Sequence, residues 1–359
     1  MTHPQESALH YPLGDQLPAA GQCLSIADGI KWIRMSLPFA LDHINLWLLR
    51  DHQEDMHGQI VEGWTVVDCC VNRPEARQQW EQIFASELEG LPILRIIVTH
   101  MHPDHIGLAG WLCEHWKAPL WISATDYNTA RVAIKDRDGF GGESGSEFYS
   151  LHGQPEGDFL KHVRGRGSYY SSLVAQIPET YRRIMDGSAI IIGGRNWTCI
   201  AGYGHAPEHM ALYCAETNIL ISGDMVLPRI SANVSVHSSE PEANPLQLFL
   251  DSLRRYLELP QDCYVLPSHG KPFTGLHQRV HQLIEHHEAR LQDIMQAAQT
   301  QNLSATDILP TLFKRQLDAH QMTFAMGEAP AHLHYLWFSQ KLMRRLDENG
   351  VLRFQLHRA

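Results

Sequence analysis

The stretch that decides the reading is "VTHMHPDHIGLAG", residues 98–110. His100, His102, Asp104 and His105 fall within six positions, directly after the branched apolar run "PILRIIV" (92–98). Neutral imidazoles and carboxylates are the usual ligands of zinc-like metals where thiolates are absent. His100 and His102 are two apart, so in an extended segment they point the same way. Pro103 then turns the chain ahead of Asp104 and His105. A turn at the end of a buried strand can thus aim two donor pairs at two neighbouring points. A dinuclear site, with metals roughly 3.5–4 Å apart, needs that arrangement.

Such a site needs more donors, and three further segments offer them. "GYGHAPEH" (202–209) places His205 in a glycine-flanked turn after a strand. "LISGDMVL" (220–227) places Asp224 after an apolar run and a glycine, and "VLPSHGKP" (265–272) does the same for His269. The grammar is shared: apolar strand, small residue, ligand. An earlier apolar run, "GWTVVDCCV" (63–71), ends near Asp68, which alone reads equally as a cap, a surface acid or a partner of a metal ligand.

Around these motifs the chain alternates strand and helix patterns. "GIKWIRMSLP" and "HINLWLLRD" read as strands, "EARQQWEQIFASELEG" as a helix closed by Gly90, "IGLAGWLCEHWKA" as a helix and "PLWISATD" as another strand. This predicts a layered α/β core. Residues 126–188, with the Gly-rich "DRDGFGGESGSEF" and the basic "KHVRGRGSYYSS", read as an insertion of short helices and mobile loops that shapes a binding site. After Gly275 the texture turns helical. "LHQRVHQLIEHHEARLQDIMQAAQ" is amphipathic, "SATDILPTLFKRQL" opens on a capping serine, and "PAHLHYLWFSQKLMRRLDENG" reads as a third helix stopped by glycine, before a final strand "VLRFQLHRA". The expected division is 1–275, a catalytic domain, and 276–359, a C-terminal module that helps wall the metal rim and whose removal alters substrate preference or solubility while leaving metal binding detectable.

Composition narrows the classes. The 359 residues carry 29 basic and 40 acidic side chains, a formal net charge of −11 that argues against an extended nucleic-acid footprint. Seven irregularly spaced cysteines with no CxxC pair fit a reducing compartment rather than a disulfide framework. With no basic-apolar leader and no long apolar run, the expectation is a cytoplasmic protein without membrane contact.

The four separated matches, in this order, resemble the metallo-β-lactamase superfamily. Its HxHxDH signature stands here as His100, His102, Asp104 and His105, and its later histidine, acid and histidine as His205, Asp224 and His269. The resemblance covers roughly residues 20–275 and implies an α/β (α+β) fold, a four-layer αβ/βα sandwich. The C-terminal segment resembles, more loosely, a winged-helix-like helical module. The family pattern implies that His100, His102 and His205 hold one metal, that Asp104, His105 and His269 hold a second, and that Asp224 bridges them. Asp68 supports a ligand, and a hydroxide held between two divalent cations is the nucleophile, with Asp104 orienting it or passing its proton. Zinc is expected, with iron or manganese as alternatives. The typical TPGH lead-in is here "GYGH". No cysteine stands at a ligand position, which separates the chain from the antibiotic-degrading branch with a cysteine ligand, and His102 separates it from the flavodiiron branch.

Other candidates carry a plainer reading beside a functional one. Arg229, whose guanidinium suits an anion, and His237 follow Asp224 in "LPRISANVSVHSS"; Tyr169 beside Tyr170 could line a pocket mouth. The alternatives are a surface ion pair and ordinary packing. The "KHVRGRG" run could attract substrate phosphates, against a solvated loop. His209 reads as a packing histidine or as a partner of a ligand, His286 and His287 as structural, and His277 with His281 as a solvated helix face. The expected activity is hydrolysis of a small acyl compound, a thioester or lactone, in the manner of the glyoxalase II-like, thioesterase-like branch. The rivals are a phosphodiesterase or ribonuclease of the same fold, a mononuclear-iron, persulfide dioxygenase-like enzyme and a non-enzymatic relative. The expected partner is a small-molecule substrate, not nucleic acid; homo-oligomerisation is left open.

Overall fold

The computed structural model describes residues 9–136 and 141–357, so residues 137–140 of the Gly-rich stretch lie outside the described residues. Two sheets face each other. The first runs in order β1 (Cys23–Ala27), β2 (Ile30–Ser36), β3 (His43–Glu54), β4 (Ile60–Val67), β5 (Ile93–Ile97), β6 (Leu120–Ile122) and β7 (Arg182–Arg183). The second runs from β12 (Tyr264–Pro267) through β11 (Ile219–Gly223), β10 (His209–Cys214) and β9 (Arg195–Gly202) to β8 (Ala189–Ile192).

The period-2 alternation of the strands sorts their side chains into layers. On β3, Trp47 and Leu49 face the second sheet, where Trp197, Ala201, Met210 and Ile221 meet them. Leu46 and Leu48 on the same strand face outward onto Trp80 and Ile83 of α1 (Pro74–Ser86) and Leu112 of α3 (Ala109–Trp116). On the far side, Ala211, Leu220 and Val265 of the second sheet pack against Leu250 and Leu253 of α8 (Pro245–Arg255). These three apolar interfaces separate four layers, and the fold is the αβ/βα sandwich. Trp32 and Trp47 stack at the centre, 6.2 Å between ring centroids.

Pairing directions bring the ligand-bearing strand ends together. β4, β5 and β6 are parallel, so Asp68 and the 98–105 turn leave the first sheet side by side. β11 and β12 are parallel, which puts Asp224 and His269 on one edge of the second sheet. The turn itself closes on a one-turn helix, α2 (Pro103–Ile106), with proline at its start. The 126–188 segment forms α4 (Ala124–Ala133), α5 (Gly142–Leu151), α6 (Asp158–Arg164) and α7 (Tyr169–Leu173). One expectation fails locally here. "PLWISATD" is strand only to Ile122, because the Ser123 hydroxyl accepts from Asp126 N–H and starts α4.

The C-terminal segment contains α9 (Leu276–Ala297), α10 (Ala305–Leu312), α11 (Ala319–Phe338) and the hairpin β13 (Leu342–Leu346)–β14 (Leu352–Leu356). The reading of 330–350 as one glycine-stopped helix is corrected. The helix starts earlier, at an Asp318–Gln321 capping box, carries Pro330 in its interior and ends at Phe338; residues 342–346 pair with 352–356 instead. Ser304 and Asp307 form the capping box of α10. No helix among the described residues is long and apolar enough to cross a membrane.

These helices do not stand apart. Leu276, Val280, Leu283 and Met326 share one apolar cluster with Leu220, Val265 and Leu250. Arg279 of α9, itself buried, donates to the carbonyls of Leu227 (2.6 Å) and Ile230 (3.0 Å) in the loop that follows Asp224. Each buried aliphatic side chain contributes about 1.5–3 kcal/mol, so losing several exceeds the roughly 5–15 kcal/mol that holds a domain folded. A chain cut after Gly275 is therefore expected to be insoluble or to lack a cooperative transition, and the full chain to unfold in one calorimetric step. A stable 1–275 fragment that still binds metal would contradict this.

Candidate metal centre

The strand ends bring seven side chains to one rim. His100 Nε2, His102 Nδ1 and His205 Nε2 form a triangle with edges of 2.9, 3.1 and 3.2 Å. Asp104 Oδ2 lies 3.6 Å from His105 Nε2 and 3.4 Å from His269 Nε2. Asp224 stands between the two sets: its Oδ2 is 3.2 Å from His205 Nε2, and its Oδ1 is 3.5 Å from His105 Nε2 and 3.4 Å from His269 Nε2.

The residues present fit metal ions. Four donors about 2.0–2.1 Å from a tetrahedral cation are separated from one another by about 3.3 Å, close to these edges. His105 Nε2 and Asp224 Oδ1 are buried and have no hydrogen-bond partner among the described residues. Buried polar atoms are nearly always satisfied, so orphans aimed at a common point mark what a cation would satisfy. His100, His102 and His205 form one group able to hold an ion, and Asp104, His105 and His269 another; His100, His105 and Asp224 also converge.

The outward ring nitrogens fix the inward ones. His205 Nδ1 donates to the Asn233 carbonyl (2.7 Å) and His269 Nδ1 to the His43 carbonyl (2.7 Å). His105 Nδ1 donates to Asp68 Oδ2 (2.8 Å). Each bond places a proton on the outer nitrogen and turns the inner nitrogen to the centre. Asp68 is buried, at φ 64°, and also accepts from the Thr99 N–H (2.8 Å) and hydroxyl. Of its possible roles, the structure places it behind a candidate ligand.

Two glycines are required by contact. A Cβ on Gly223, at φ 54°, would lie 2.1 Å from His209 Nε2, the atom that accepts the Asp224 N–H at 3.2 Å. A Cβ on Gly204, at φ 94°, would lie 2.3 Å from the Pro245 carbonyl oxygen. Both let a loop bearing a candidate ligand pass a neighbouring element.

Of the supports behind the ligands, sequence reasoning left one open and missed one. His209, read as a packing histidine or a partner of a ligand, holds the Asp224 backbone. Asp126 accepts from Met101 N–H (2.7 Å) and Glu208 N–H (2.6 Å), tying the His100–His102 turn to the His205 loop. Its only local signal is the SATD cap. His287 is buried in a chain from the Ser231 hydroxyl (3.0 Å) to His332 Nε2 (3.3 Å), whereas His286 and His281 are exposed and His277 bonds the Leu259 carbonyl (2.7 Å).

A cavity of about 760 Å³ opens from the metal-facing atoms. His102, Asp104, His205, Asp224 and His269 form its floor, and Tyr169, Arg229 and His237 line it. Tyr169 is half-buried, while Arg229 and His237 are exposed at the wall. Tyr170 is buried and donates to the Met101 carbonyl (2.6 Å), a support for the ligand turn rather than a substrate contact.

Electrostatically the centre has two halves. Burial holds His100 and His102 well below the usual histidine range, with neighbouring imidazoles adding to it, and takes His209 down to about 3. Burial opposes charge on His269 too, but Asp224 and Asp104 outweigh it and raise it to about 10. His105 is likewise raised well above its ordinary value against burial, by Asp104, Asp68 and Asp224. Asp104 falls to about 2, burial being overcome by His105 and His269. One half thus offers lone pairs, and the other offers two imidazoliums paired with carboxylates.

The chain belongs to the metallo-beta-lactamase superfamily. The family model "Metallo-beta-lactamase superfamily" matches residues 59–269, and "Metallo-beta-lactamase-like, C-terminal domain" matches residues 291–357. The chain is similar to a crystal structure described as a beta-lactamase domain protein from Burkholderia ambifaria, at 48% identity and TM-score 0.91, covering 99% of this chain and 100% of that one. It is also similar to the metallo-beta-lactamase family protein TTHA1429 from Thermus thermophilus, at 27% identity and TM-score 0.74, over 92% of this chain and 100% of that one. A curated relative, "Probable metallo-hydrolase YqjP" of Bacillus subtilis (strain 168), is 23% identical over 326 residues, 89% of this chain and 95% of that protein.

The charge pattern predicts proton-linked metal binding. Protonated His269 stabilises the metal-free fold below the ordinary histidine range, and that contribution is lost as pH rises through about 10. A cation entering the Asp104–His105–His269 set must displace protons. Its affinity should weaken by about tenfold per displaced proton for each unit that the pH is lowered. Zinc titration of the metal-free chain between pH 8 and 6, in buffers of different ionisation enthalpy, checks this. An affinity independent of pH, with no proton release, would contradict it.

Proposed function

We propose that this chain is a metal-dependent hydrolase acting on a small acyl substrate, a thioester or a lactone. The observation that carries the reading is the position of Asp224, whose two oxygens face different donor sets. His100, His102 and His205 would hold one divalent cation and Asp104, His105 and His269 the other, with Asp224 shared; zinc suits this donor set, as do iron and manganese. When bound, such cations lower the pKa of water and polarise a carbonyl oxygen. The similarity to a Bacillus subtilis protein described as a probable metallo-hydrolase supports the same class.

The chain's own residues do the rest. Asp104, ionised at neutral pH, accepts a hydrogen bond from the attacking water and orients it on the cavity floor. Asp68, Asn233 and His43 keep the imidazoles from rotating, so no reorganisation accompanies the reaction. Burial raises the pKa of the Tyr169 hydroxyl, with Asp104 adding to it, so that it stays a proton donor for the developing oxyanion. In a thioester the C–S bond breaks, the acyl carbon takes the water oxygen and the departing thiolate takes a proton. The internal cavity, walled by the 141–170 segment and by α9–α11, suits a small molecule better than a polymer.

Asp224→Ala should lower metal content and reduce turnover by at least a thousandfold. A panel of acyl-CoA and glutathione thioesters, lactones and bis-p-nitrophenyl phosphate, assayed with metal content on the same sample, checks both the role and the class. Unchanged turnover in the variant would remove the shared-ligand assignment, and activity on the phosphodiester alone would replace acyl hydrolysis with phosphoryl chemistry.

A further inference from the structure

The cavity wall has a charge out of keeping with the chain. In a protein of net charge −11, five arginines among the described residues (Arg166, Arg229, Arg279, Arg290 and Arg315) line the cavity. Its carboxylates among the described residues are Asp104 and Asp224, both turned to the metal centre, and Glu328. Most of the arginines have an internal task. Arg279 ties the loop after Asp224 to α9, Arg290 pairs with Asp293 (3.2 Å), and Arg315 bonds Gln321 (2.9 Å).

Arg166 differs. It lies in the basic run 161–167, and it is only half-buried. Its neighbour Arg164 turns outward to Glu156 (2.8 Å) and Glu143 (3.5 Å). Arg166 turns inward: its guanidinium carbon sits 3.8 Å from the Tyr169 ring centre, and its Nη1 donates to His320 Nδ1 at 3.0 Å. Among the described residues its buried Nε has no hydrogen-bond partner and no carboxylate pairs with it. Rings surround it: Phe39 stacks on His320 (5.4 Å, 14°), and Phe324 meets His320 edge-on (5.0 Å). A cation withdrawn from water without a counter-charge is costly, and a guanidinium has a fork that fits phosphate or carboxylate. Behind this group the wall is apolar, with Leu37, Phe148, Leu283, Leu312 and Phe313.

Resting on the hydrolase reading, we propose that the substrate is an amphipathic anion, an apolar acyl chain esterified to a group whose phosphate or carboxylate is bound by Arg166 at the aromatic rim. The acyl chain lies along the apolar wall, and the acyl carbon reaches the floor at Asp104 and Asp224. The basic run thus has two parts, a solvated arginine at 164 and a substrate-facing one at 166.

The test compares decanoyl thioesters that differ only in the thiol: coenzyme A (phosphates), glutathione (carboxylates) and N-acetylcysteamine (uncharged). A charge-assisted hydrogen bond corresponds to roughly a 10- to 100-fold preference. The metal-loaded wild-type chain should favour at least one anionic thioester over the uncharged one by that factor in kcat/KM, mostly through KM. The favoured anion distinguishes phosphate from carboxylate. Arg166→Gln should bring the ratio near one, and Arg166→Lys should keep part of it. A wild-type ratio near one, or an unchanged ratio in Arg166→Gln, overturns the proposal. If none of the thioesters is hydrolysed, calorimetry with the unreactive S-decyl thioethers of the same three thiols reads the same preference. Retained preference then leaves the anion site standing and removes the thioester half of the hydrolase reading; equal binding removes the anion site.

Discussion

The whole arrangement depends on burying imidazole lone pairs and carboxylates at one point. His100, His105 and His269 are nearly inaccessible to solvent, as is Asp68 behind them. Polar groups withdrawn from water are costly unless paired. Here the outer edges of His100, His105, His205 and His269 are paired, to the Thr99 hydroxyl, Asp68, the Asn233 carbonyl and the His43 carbonyl, and the inner edges face one another. The bonding is therefore complete on one side and open on the other. Cations at the open side would complete it, and the fold holds it ready by anchoring every loop to a strand end.

Much of this was legible in the chain, because a ligand at a strand end leaves a local mark. The apolar run, small residue and ligand recur at His205, Asp224 and His269, and the structure brings all three to the 98–105 turn. Residues that support others from a distance leave no such mark. The carbonyls of Asn233 and His43 can come from any residue type, so nothing in the sequence distinguishes them. Asp126 reads as a helix cap, and it is one, but its carboxylate also joins the turn at Met101 to the loop at Glu208, which lies 82 residues further along the chain from Asp126. Arg166 differs from Arg164 only in the direction it faces, which a charge count cannot give.

The C-terminal helices show a related limit. Amphipathic periodicity marks them as helices that bury a face, and it is silent on which partner takes that face. The structure gives the second sheet and α8 as the partner. α11 also carries His320 and Phe324 to the cavity rim, and α9 carries Leu283 and Arg290 to its wall. The C-terminal segment is thus part of the container around the metal-facing floor. Its last helix begins before the expected point because Pro330 only suggests a start, while the Asp318–Gln321 box several residues earlier supplies the N-terminal hydrogen bonds.

The central claim is that Asp224 lies between two positions that each hold a cation. Anomalous diffraction from crystals grown with zinc tests it directly. Two peaks about 3.5–4 Å apart are expected, one within the His100–His102–His205 triangle and one between Asp104, His105 and His269. A single peak, or one displaced from Asp224, would contradict it.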